Sequence, residues 1–172
     1  MSENVVMPET HLFLVCGLPG AGKTSLATQL ATDHHAVRMC PDEWMEQLGV
    51  DIWDTVARER IEQLQWATAG EIMKRGTSVV IEWGLWKRAE RDRLRIEARS
   101  IGVEVHLVLL DPAIDVLWER LEASHRRPSL ANRSITRAEL EQWYLDLERP
   151  DVDELAAYDP IVGDQIRDVR DT

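Results

Sequence analysis

The sequence predicts an α/β fold: a parallel sheet of about five strands with helices on both faces. Two observations carry this. Short apolar runs alternate with longer helix-compatible stretches along most of the chain, which is the signature of successive strand–helix units. Residues 17–24 read Gly-Leu-Pro-Gly-Ala-Gly-Lys-Thr, the pattern G-x-x-x-x-G-K-[ST], set between a run fit for a strand and one fit for a helix. At 172 residues, with no repeat, low-complexity tract or linker, the chain reads as a single domain over residues 1–172.

The elements follow in order. His11 to Cys16 is an apolar first strand. A helix leaves the glycine loop and runs to about Asp33, and Ala36 to Cys40 is a short second strand. Pro41 to Trp44 turns, and Glu43 to Leu48 fits a short helix that Gly49 ends. A long helix spans about Asp51 to Lys74, with Asp51 as its cap and Trp53, Ala57, Ile61, Leu64 and Ile72 as its apolar stripe. Gly76 lies just past its end. Ser78 to Ile81 is a buried strand that ends at Glu82. A helix over Arg88 to Ser100 is closed by Gly102, and Val103 to Leu110 is the most apolar strand. Asp111 and Pro112 supply an N-cap and a first-turn proline for a helix over about Ala113 to Ala123 that buries Ile114, Leu117, Trp118 and Leu121. An arginine-rich segment at about 125–135 reads as a lid. Thr136 and Glu139 then form a capping box for a helix to about Leu147. A short fifth strand at Tyr158 to Val162 and an acidic tail at about 163–172 complete the chain.

Composition narrows the function classes. Hydrophobic residues make up 44% and charged residues 30%, ordinary for a soluble globular protein, and the net charge is −11. That acidity counts against nucleic acid as a partner, because a backbone-gripping protein shows a basic face. The N-terminus has no basic stretch followed by an apolar one, and no run approaches a membrane span. The expectation is a cytoplasmic monomer or homodimer. Cys16 and Cys40 read as buried thiols rather than a disulfide. The five histidines show no ligand spacing, so a metal site made of protein ligands alone is not expected. Seven Trp against one Phe suggests core packing together with an aromatic pocket wall.

The loop carries the chemistry. Glycines let successive backbone N–H groups converge on one anion, and the helix that follows adds its positive end. Gly17, Leu18, Pro19, Gly20, Ala21, Gly22, Lys23, Thr24 and Ser25 therefore form the expected nucleotide cradle. Lys23 would bridge the β- and γ-phosphates of ATP, and the Thr24 hydroxyl would hold Mg²⁺. Asp42, just beyond the second strand, can accept the proton of an attacking hydroxyl, or it can cap the short helix. Glu82 sits where an acid supports the metal; it can also face substrate or be a plain strand-end charge. Arg120, Arg126, Arg127 and Arg133 can neutralise the charge of a transferring phosphoryl group, or form a solvated loop. Arg88 and Arg91 can meet an anionic substrate or pair with Glu90 and Asp92. Trp83 and Trp86 can wall a pocket or pack in the core.

With those residues in view, the chain resembles the small kinases of the AAA-like phosphate-loop group, relatives of chloramphenicol phosphotransferase, zeta-toxin and polynucleotide 5′-kinase. The resemblance rests on residues 17–24, on Pro41-Asp-Glu-Trp44 and on Gly84-Leu-Trp-Lys-Arg-Ala-Glu-Arg91. It rests also on Val116-Leu-Trp-Glu-Arg120 and Leu147-Glu-Arg-Pro-Asp-Val-Asp-Glu154. It implies a P-loop NTPase fold like that of nucleoside-monophosphate kinases, and transfer of a phosphate from ATP with Mg²⁺ to a hydroxyl of a small molecule. It further implies Asp42 as base, Arg120 as a nucleotide-contacting arginine, and Arg126 or Arg127 as the lid arginine, with Arg127 taken as catalytic. Two positions depart from the pattern. Glu82 stands where Asp is usual, and Ser124 follows Arg120 by four residues, where a second arginine is common.

Overall fold

A computed structural model describes residues 9–125 and 135–161 of the chain. The lid arginines Arg126, Arg127 and Arg133, and the tail at 163–172, lie outside the described residues.

Four parallel strands form one sheet in the order β2-β3-β1-β4. They are β1 (His11–Gly17), β2 (Val37–Met39), β3 (Val79–Gly84) and β4 (Glu104–Leu110). Side chains alternate between sheet faces, yet Leu12 through Gly17 are all buried, so both faces of β1 are covered. Continuous apolar strands of this kind belong to parallel sheets wrapped by helices. The register sets Gly17 beside Leu110, and Cys16 beside Gly84 after a bulge between Leu14 and Cys16. The carboxyl ends of the three longer strands thus meet at one edge.

The helices are α1 (Lys23–Asp33), α2 (Pro41–Gln47), α3 (Thr55–Met73), α4 (Arg88–Ser100), α5 (Ile114–His125), α6 (Arg137–Asp146) and α7 (Val152–Leu155). α6 carries the expected capping box, with the Thr136 and Glu139 side chains each bonding the other's backbone N–H. Gly76 and Gly102 close α3 and α4 in the left-handed conformation.

Several boundaries differ from expectation. α3 starts at Thr55 because Asp54, not Asp51, caps it, accepting from the N–H groups of Val56 and Ala57. Asp51 accepts instead from Trp53 N–H at 3.0 Å in a local turn. The buried stripe of α3 is Ile61, Gln65, Ala69 and Met73, and Leu64 is 58% exposed. Asp111 does not cap α5. It is gripped by both forks of Arg149 at 2.6 and 3.0 Å, while the first backbone bond of α5 runs from Leu117 N–H to Ala113 O. Asp42 is not a cap either, since Cys40 holds the N-cap position and Pro41 opens α2.

The sheet has four strands among the described residues. Through residue 161 the expected fifth strand is absent. Asp159 instead touches the edge of β4 at one point: its N–H bonds Val105 O at 2.8 Å, and its carboxylate takes Val105 N–H at 2.8 Å. The next residue, Pro160, has no N–H with which to continue a ladder.

Candidate active site

The glycine loop leaves β1 at the carboxyl edge of the sheet. A Cβ on Gly17 would lie 2.7 Å from Leu110 O, so only glycine lets β1 end this close to β4. Leu18 and Ala21 are buried and anchor the loop in the core, which leaves its backbone to face outward. Gly22 is the N-cap of α1 with φ 96°, and no side chain caps the helix. Leu26 N–H closes the first helical bond onto Gly22 O at 3.2 Å. The N–H groups of Lys23, Thr24 and Ser25 are therefore the free donors of an eleven-residue helix, a ready-made anion site. Lys23 folds over the loop, with Nζ donating to Leu18 O at 3.0 Å. Burial pulls its ammonium down from the ordinary lysine range, and the negative charges of Glu82 and Asp42 oppose that pull.

The acid at the end of β3 turns in toward the loop. Glu82 is 6% exposed, which removes the reading of a plain strand-end charge. Its Oε1 accepts from Thr24 Oγ1 at 2.5 Å, and its Oε2 accepts from Arg38 at 2.6 Å. Arg38 also grips Glu43. The Thr24 hydroxyl and the Glu82 carboxylate thus stand side by side, two hard oxygens of the kind that Mg²⁺ takes alongside phosphate and water. The donor set fits a magnesium ion.

Asp42 lies in the first turn of α2 and is paired with Arg58 of α3. Arg58 also donates to Ile52 O at 3.2 Å and lies 3.8 Å from Glu62. Arg38 and Arg58 are absent from the sequence reading. Arg38 lies in the short strand that leads to Asp42, and Arg58 lies in the first turn of α3; neither has a motif to mark it. Arg120 projects from α5 toward the loop, with Nη1 4.0 Å from where a Cβ on Gly22 would sit. Among the described residues no carboxylate lies within ion-pair distance of it.

Arg88 and Arg91 part ways. Arg91 is fully buried and forks onto Glu154 at 2.6 and 2.9 Å, with a third bond to Leu85 O at 2.9 Å. It braces the β3–α4 corner rather than facing substrate or pairing with Glu90. Arg88 pairs with Asp92 as expected, at 3.5 Å, and also with Asp151 at 3.0 Å. Trp86 donates to Gly17 O at 3.3 Å and starts an aromatic wall beside the loop. Trp143 lies 5.8 Å from Trp86 and 6.1 Å from Trp53 between ring centroids. Trp83 donates to the buried Gln65 at 2.9 Å. Both cysteines are free and buried, and burial pushes each thiol up to about 11.

This loop, at the carboxyl edge of a parallel sheet and faced by an acid and an arginine, defines a kinase-like phosphate-loop domain. The AAA domain family matches residues 12–150, and the chain belongs to that family. Among curated proteins none matches. Solved structures that share the fold include the following three. A chain of the Pnkp1/Rnl/Hen1 RNA repair complex aligns at TM-score 0.68 and 17% identity, covering 86% of this chain and 47% of that one. A gluconokinase from Sinorhizobium meliloti aligns at 0.57 and 21%, covering 86% and 79%. Kti12 from Chaetomium thermophilum, in complex with ADP-AlF3, aligns at 0.62 and 18%, covering 81% of each chain. The chain thus spans about half the length of the first of these.

Proposed function

We propose that the protein is an ATP- and Mg²⁺-dependent kinase that transfers the γ-phosphate to a hydroxyl of a small molecule, in the cytoplasm. The observation that carries this reading is the meeting of three groups on one loop. The free amides at the start of α1, the ammonium of Lys23 and the Thr24–Glu82 oxygen pair suit a triphosphate with its metal. When bound, Mg²⁺ would be held by Thr24, with Glu82 in support, and would neutralise charge on the β- and γ-phosphates. Lys23 would release Leu18 O and bind phosphate oxygens, while Gly17 to Ser25 would wrap the phosphates. Arg120 would neutralise charge from the α5 side, with Arg126 beside the nucleotide and Arg127 acting on the transferring group.

Asp42 is the base. Its acidic side chain is 60% exposed, so an acceptor can reach it. Arg58 holds the carboxylate in place through their ion pair. The hydroxyl proton passes to the Asp42 carboxylate as the alcohol oxygen bonds to the γ-phosphorus and the bond to the β-phosphate oxygen breaks. The tryptophan wall beside Gly17 suits an aromatic or sugar-like acceptor.

The test is ADP release by the purified protein with Mg-ATP and a panel of hydroxyl compounds, with Lys23→Ala as the inactive control. One compound should stimulate release, and Lys23→Ala should lower the rate by roughly 10²-fold or more. Asp42→Asn should lose transfer while keeping ATP affinity. Unchanged turnover in Asp42→Asn would point to a regulatory ATPase. Transfer to a 5′-hydroxyl oligonucleotide would make the protein a polynucleotide kinase instead.

A further inference from the structure

The opposite end of the sheet holds a second constellation. His11 opens β1 and Glu104 opens β4, and the parallel register pairs the two. His106 lies two residues along β4 and so faces the same side as Glu104. His11 Nδ1 is 3.0 Å from His106 Nε2 and 3.4 Å from Glu104 Oε2, and His106 Nε2 is 4.0 Å from that oxygen. The three donor atoms lie within 4.8 Å of one another. A tetrahedral zinc ion with bonds of about 2.0–2.1 Å sets its ligand atoms about 3.3 Å apart, and the three observed separations bracket that value.

The other ring nitrogen of His106 fixes the tautomer. Nδ1 lies 3.1 Å from Asp159 O. A carbonyl can only accept, so Nδ1 carries the hydrogen and the Nε2 lone pair is left facing His11. A backbone carbonyl that orients a ligand imidazole in this way is the usual outer shell of a metal-binding histidine. His106 is 3% exposed, while the side chains of His11 and Glu104 are 24% and 46% exposed. The pocket is built on its inner side and open to solvent on its outer one.

We propose that His11, Glu104 and His106 form a binding site for a borderline divalent transition metal of the Zn²⁺ class, with the fourth position open to water. Two imidazoles and one carboxylate suit zinc, cobalt or nickel better than magnesium. Bound there, the ion ties the start of β1 to β4 and, through His106, to the Asp159 segment. The site lies at the amino ends of the strands, away from the glycine loop. Its role is therefore to clamp the sheet edge rather than to take part in phosphate transfer.

The test uses the tag-free, metal-stripped full chain. Calorimetric titration with ZnCl₂ should give one ion per chain, and Co²⁺ should give the visible absorption of a four-coordinate centre. His11→Asn and Glu104→Gln change partly exposed residues, and each should weaken Zn²⁺ binding more than tenfold. Lys23→Ala should leave it unchanged. His106→Ala should weaken it further, but that buried change can also unfold the edge, so the two exposed variants decide. Stoichiometric binding that survives both exposed variants would place the ion elsewhere and overturn the proposal. Absence of binding at 100 µM metal, or about that, would do the same; the His11–His106 contact would then be a plain hydrogen bond.

Discussion

Single side chains where α2 meets α3 hold unequal charge environments. Asp42 is exposed and paired with Arg58, whereas Glu62, one helical turn along α3 from Arg58, is largely shielded. Burial pushes the Glu62 carboxyl up to about 7. The nearby Arg58 only partly offsets this, and Glu90 and Asp42 add to it. In the unfolded chain the same group ionises near about 4.3. Between those two values the folded state keeps a proton that the unfolded state has lost, so stability falls as pH rises through that window. Glu62→Gln removes the effect. Urea midpoints at pH 5 and pH 8 should differ less in the variant than in the parent. At pH 8 the variant should be more stable by on the order of 1–3 kcal/mol. Parallel pH profiles would show that Glu62 is solvated in solution. Lys23 illustrates the opposite case, a cation whose pKa burial lowers, a pull that the negative charge of a bound triphosphate would oppose.

The elements are held by a few ties across long stretches of chain. The Arg91–Glu154 pair joins α4 to α7 and also secures Leu85, a non-glycine residue at φ 53°. Because both partners are buried, removing one strands a charge in the core, which costs roughly 3–5 kcal/mol. Glu154→Ala should therefore lower the unfolding free energy by about that amount in denaturant titrations. A paired Arg91→Met, Glu154→Leu change should recover much of the loss. If Glu154→Ala matches the parent, α7 is not part of the cooperative fold. The β3–α4 corner also carries Trp86, so this brace positions the wall beside the loop. The boundary of α3 follows from similar local competition. Asp51 and Asp54 both offer cap chemistry, but Asp51 spends its carboxylate on Trp53 N–H, and Asp54 takes the helix start.

For the molecule as a whole, nucleotide binding is linked to folding. A ligand that binds only the folded state at 100 times its Kd adds about 2.7 kcal/mol. In a domain of this size that is a rise in Tm of roughly 5–10 °C. Mg-ATP should produce such a shift in scanning calorimetry, and Lys23→Ala should reduce it. An unshifted parent at millimolar Mg-ATP would remove nucleotide from the functional reading altogether. No helix among the described residues is long and apolar enough to cross a membrane.

What could be read directly from residue order is what neighbours decide. The glycine loop between strand and helix and the capping box at Thr136 depend on residues within a few positions of one another. The alternation of apolar strands with helices, hence the parallel sheet, is also local. The partnerships of the candidate site are not. Thr24 meets Glu82 across 58 positions, Asp42 meets Arg58 across 16, Arg91 meets Glu154 across 63 and His11 meets His106 across 95. Strand order, register and helix packing bring these groups together, and spacing along the chain encodes none of the three. That is why residue order alone leaves Glu82 open among three roles, of which its burial against Thr24 removes the plain strand-end charge. It is also why two histidines without ligand spacing came to lie side by side.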